Sequence, residues 1–150
     1  MTALLKELAR QVRSSTIEFL DAAQPSWLTW APTGTSNHIL WHAGHAVWLQ
    51  DVLCLQSLTG SSRLPAGWAE TFGQHCRPPG ETKHWPTAAI VRQQLTEQLS
   101  DIYAALEAAR LTAADATGLG GRIIHGLHDE ARHQGEMFLL MKMCQAGLAG

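Results

Sequence analysis

At 150 residues the chain is long enough to bury its own core, and one domain across residues 1–150 is expected. Its 45% hydrophobic and 16% charged content is that of a globular protein, and a formal charge of −2 without a basic run argues against a nucleic-acid partner. Apolar runs such as Met137 to Met141 are too short for a bilayer, the first residues lack a signal peptide's apolar stretch, and three widely spaced cysteines without C-x-x-C fit a reducing cytoplasm.

Leu5, Leu8, Val12, Phe19 and Leu20 recur at helical spacing, and Pro25 closes a first helix over about residues 2–24. The stretch QPSWLTWAPTGTS then reads as a loop, after which Ser36 or Asn37 is placed to cap a second helix that continues to about Ser57. From Leu58 to Trp85 the chain is punctuated by Gly60, Pro65, Gly67, Gly73, Pro78, Pro79 and Gly80. Trp68 and Phe72 supply apolar anchors there, and a short helix around 66–73 is expected inside so long a connection. That length lets the chain cross the height of a bundle and return parallel. Pro86 and Thr87 open a third helix, striped by Val91, Leu95, Leu99, Ile102 and Leu106. A turn at 111–119 leads into a fourth, from about Gly120 to Ala146. No strand-like alternation and no internal repeat is present. The expected fold is therefore all-α, a four-helix bundle with a long crossover connection between helices 2 and 3.

Six of the eight histidines fall on two of these helices: His38, His42 and His45 on the second, His125, His128 and His133 on the fourth. At about 100° per residue, the first three lie within roughly 60° of one another. His125, Asp129 and His133 step by four along a single stripe, with His128 well off it. A lone histidine on an apolar face is usually a hydrogen-bonded core residue. Three on one face, opposite a second stripe, point instead to a shared site. Two imidazoles and a carboxylate with open positions suit a divalent iron, nickel, zinc or manganese ion.

In these two segments the chain resembles the DinB-like superfamily of four-helix metal-binding proteins. The family's W-h-x-x-H of helix 2 is matched by Trp41-His42-Ala43-Gly44-His45. Its H-x-x-x-H followed by R/Q-G-Q/E of helix 4 is matched by the run Asp129-Glu130-Ala131-Arg132-His133-Gln134-Gly135-Glu136. The resemblance implies His45 and His133 as metal ligands and puts Asp129 where the family has its first helix 4 histidine. His125, one turn earlier, is the alternative to Asp129 as ligand, and His42 is the reserve on helix 2. It further implies a metal-dependent thiol S-transferase, or a related hydrolase or isomerase. Such an enzyme uses a low-molecular-weight thiol as co-substrate and a small-molecule electrophile, because a bound cation lowers a thiol's pKa. Alternatives are a non-catalytic metal-binding or stress-response module, and a metal-free helical dimerisation protein. A homodimer is the expected assembly.

Other features are read as structural. Glu130-x-x-His133 is half of a di-iron motif, but the chain's other E-x-x-H, Glu81-x-x-His84, falls in the linker and on none of the predicted helices. Cys54 and Cys144 sit in helix patterns and read as buried and inert. Cys76, after His75 in the linker, reads as an ordinary surface thiol, and Arg122 and Arg132 as solvated arginines. The six tryptophans are expected to plug the bundle ends and anchor the linker, or in part to line an apolar pocket above the metal.

Overall fold

The computed structural model describes residues 1–35, 37–73 and 84–149, and every regular element among them is helical. Helix α1 spans Thr2–Ala22, and α2 spans Ile39–Gln50. The latter continues through a π-helical turn at Asp51–Leu55 into α3, Gln56–Thr59, which stops where Gly60 takes φ +76°. A short α4 covers Trp68–Phe72. Helix α5 is Ala88–Ala109, capped by the Thr87 hydroxyl accepting from the Ile90 amide at 3.3 Å, and α6 is Leu119–Gln145. The expected elements are thus present within a few residues of their sequence bounds. None of these helices is long and apolar enough to cross a membrane.

The cap of α2 differs from expectation. The chain passes Asn37 before turning helical, and His38 is the cap, its Nδ1 accepting the Trp41 amide at 3.0 Å. An imidazole nitrogen can serve the orphan N–H of a first turn as a hydroxyl or carboxylate does. Ser36 lies outside the described residues, as do His75, Cys76, Pro78, Pro79 and Gly80 of the linker.

Helices α1 and α2 each pack against both α5 and α6. The core between them has two apolar halves. One holds Leu20, Trp41, Val47, Phe72, Leu95 and Met137, and the other holds Leu5, Cys54, Leu55, Ile102, Leu106 and Leu127. Read along the chain, α1 and α6 run from the second half to the first, whereas α2 and α5 run the opposite way. Helices α2 and α5 are therefore parallel, as a crossover between them requires.

A polar belt separates the halves. The Arg13 guanidinium donates to Glu130 Oε2 at 3.0 Å, to Gln98 Oε1 at 3.0 Å and to the Leu95 carbonyl at 3.2 Å. Thr16 Oγ1 and Gln50 Nε2 complete the Glu130 carboxylate at 2.7 and 3.0 Å. Gln98 in turn donates to the Val47 carbonyl at 2.7 Å. All four long helices contribute, and each buried charge finds several partners, the condition under which burial is tolerated.

Candidate metal centre

At the end of the bundle holding Trp41 and Phe72, α2 is buried on nearly every side from Ile39 to Val47. Its histidines are largely withdrawn from water, which favours partners within the protein. His42 is 1% exposed. Its Nδ1 lies 2.9 Å from Nδ1 of His133 on α6, and its Nε2 lies 3.1 Å from Glu136 Oε2, one turn further along α6. The ring of His45 stacks on Trp41, centroids 4.5 Å apart, and stands 4.6 Å from the ring of His133. Its Nδ1 donates to the Phe72 carbonyl at 2.7 Å.

One arrangement of protons satisfies all these contacts with neutral rings. A carboxylate only accepts, so His42 carries its hydrogen on Nε2 and accepts at Nδ1 from His133. His45 carries its hydrogen on Nδ1 for Phe72. The Nε2 atoms of His45 and His133 are then both bare. Burial favours this neutral state: it presses His42 down to about 3 and His133 down to about 4, each reinforced by neighbouring imidazoles. Burial also lowers His45, against the opposing pull of the Phe72 carbonyl and the Asp129 charge. Glu136 moves upward, again through burial.

His45 and His133 open onto a cleft of about 470 Å³, whose wall also includes Trp41, Trp48, His125 and Asp129. Asp129 accepts from Arg132 at 3.1 Å on the rim. His125 is exposed beside it, and His128 is exposed on α6 as well. His38, spent on the helix cap, stands edge-on against Trp85 at 4.6 Å instead of joining the cluster.

Ligand atoms of His42, His133 and Glu136 lie within 4.8 Å of one another, a group that fits a divalent cation. Glu136 was not among the candidates from sequence. The signal was there, since Glu136 closes the Gln134-Gly135-Glu136 match and follows His133 by three residues, which puts both on one helix face.

The remaining candidates are structural. Glu130 turns into the polar belt, so its half-motif with His133 builds no di-iron site. Burial pushes the Cys54 thiol up to about 12 and raises Cys144, which keeps both protonated. Trp27, Trp30 and Trp85 pack against the apolar half around the site, while Trp41 and Trp48 form part of the cleft wall.

A bundle of four long helices that gathers imidazoles and a carboxylate from two facing helices at one end is an architecture that can hold a metal ion. The family model of the DinB superfamily matches residues 8–137, and the chain belongs to that superfamily. No curated protein and no solved structure gives a significant match to it.

Proposed function

We propose that this protein is a metal-dependent enzyme of the thiol S-transferase type, with one divalent ion held by His45, His133 and Asp129. The observation that carries the reading is the approach of the His45 and His133 rings, centroids 4.6 Å apart, in a cleft that Asp129 also lines, with the Nδ1 atom of each engaged elsewhere so that Nε2 is the nitrogen left to ligate. Neutral imidazole is the ligating form, and burial favours that form in both rings. A cation held by these residues would supply Lewis acidity, which lowers the pKa of a thiol.

The chain's own groups do the rest. The Phe72 carbonyl orients His45, and Arg132 steadies Asp129 at the rim. Trp41, Trp48, Leu49 and Val52 give the cleft an apolar wall for the body of an electrophile and limit the water around it. The nucleophile comes from solution in this reading, and among the described residues both thiols, Cys54 and Cys144, are buried and protonated. A homodimer belongs to the same reading, supported by Ile124, Phe138 and Leu139, exposed apolar side chains on α6.

A second ligand set, His42, His133 and Glu136, is favoured by the closeness of its donor atoms. Metal analysis of tag-free protein tests both. About one divalent ion per chain is expected, abolished by His133→Ala and strongly weakened by His45→Ala. Retention in His45→Ala with loss in His42→Ala selects the second set. A screen of glutathione, bacillithiol and mycothiol against chloro-dinitrobenzene then tests the chemistry. Metal binding without metal-dependent turnover of any pair favours the non-catalytic module.

A further inference from the structure

We propose that the short helix α4 is a positioning arm for His45, seated on α2 by Gly44 and Trp68. The inference rests on the reading of His45 as a metal ligand. Phe72 is the last residue of α4, so its carbonyl is one of the terminal acceptors that a five-residue helix leaves outside its own ladder. That carbonyl takes the Nδ1 hydrogen of His45 at 2.7 Å, which fixes the tautomer and leaves Nε2 as the ring's only lone pair. Trp41 stacks against the same ring with its plane tilted by only 16°. One contact sets which nitrogen is free, and the other holds the plane of the ring.

The carbonyl reaches His45 only because the preceding residue has no side chain. A Cβ on Gly44 would overlap Cδ1, Cε1 and Cζ of the fully buried Phe72 ring. A helix interior otherwise disfavours glycine by about 1 kcal/mol relative to alanine. The Gly44 carbonyl meanwhile accepts the Trp68 indole N–H at 3.0 Å, tying the start of α4 to the same turn of α2. Phe72 and Trp68 thus grip Gly44 from the two ends of α4, and His45 is the next residue along. The arm comes from the connection between α2 and α5, outside the long helices themselves. It makes no use of the polar belt.

The test titrates tag-free protein with Co(II) under chelator competition and records the visible Co(II) absorption. In Gly44→Ala the Phe72 ring is displaced and its carbonyl leaves His45. Co(II) affinity is expected to fall by about ten- to a hundredfold, as when the orienting partner of a ligating histidine is lost. Stoichiometry should hold at about one per chain, with a changed visible spectrum. Adding Phe72→Val, which clears the space and keeps the main-chain carbonyl, should restore most of the affinity and the parent spectrum. Unchanged affinity in Gly44→Ala overturns the proposal, and so does a loss that Phe72→Val does not rescue. If Gly44→Ala does not fold, Trp68→Phe carries the test. It removes the N–H that ties α4 to Gly44 and keeps an aromatic ring, and a fall of about three- to tenfold is expected at unchanged far-UV circular dichroism. No change in that variant overturns the role of Trp68. Co(II) binding that His45→Ala leaves intact removes the underlying site reading, a result separable from all of these.

Discussion

Arg13 and Glu130 meet as an ion pair 3.0 Å long whose side chains are 2% and 1% exposed, where the two apolar halves of the core join. Glu130→Ala leaves a guanidinium buried without its carboxylate and strips partners from Thr16 and Gln50. The expected loss is about 3–5 kcal/mol in urea unfolding. Replacing both residues by methionine should cost clearly less than the sum of the two single replacements, because the charges then disappear together. Additive effects would show that the pair is not coupled.

Acid should weaken the fold through the histidine cluster. The folded-state values of His42 and His133, about 3 and about 4, lie below the unfolded value of about 6.5. Between those limits the unfolded chain binds more protons than the native one, so stability falls as pH falls. It is fully present above about 6.5 and drains away towards about 4 and below. The urea midpoint of metal-free protein should follow that course. His42→Gln should flatten the slope, and an unaltered slope would dissociate His42 from the effect.

The two carboxylates beside the histidines should separate under isosteric change. On the proposed ligand set, Asp129→Asn is expected to weaken Zn(II) binding by at least about tenfold and Glu136→Gln by less. Calorimetric titration measures both. The reverse order would move the ion to the side of His42 and Glu136.

Neither Cys54 nor Cys144 should react as a nucleophile in the folded state. In a Cys76→Ser background, native protein should show almost no thiol titre with Ellman's reagent, and urea should release two. Turnover with an added thiol should survive Cys54→Ala and Cys144→Ala. Rapid labelling of Cys54 before unfolding would contradict its burial.

Much of the fold could be read from the chain because the apolar stripes of α1 and α5, and the proline–threonine start at Pro86 and Thr87, are local signals. The cluster was readable as far as helix periodicity carries, which brings His42, His45 and His133 to inward faces. What escaped depends on contacts remote in sequence. Arg13 lies next to the stripe residue Val12, and nothing near it in sequence marks its partner Glu130, 117 positions away. His38 was grouped with its neighbours by angle, yet the first turn of α2 needed an acceptor and took it. The π-helical turn at Asp51–Leu55 leaves no mark in the spacing of apolar residues. Gly44 carries no local signal of its role, and only the arrival of Phe72 from the connection gives it a purpose.

The belt of Arg13, Gln50, Gln98 and Glu130 also acts as a key to alignment. Sliding any one rod by a single turn, about 5.4 Å, would carry a charged or amide group off its counterparts and into hydrocarbon above or below. Only one stacking of the rods keeps every such group matched. The mouth of the bundle can therefore accumulate side-chain replacements while the helices beneath it stay in step.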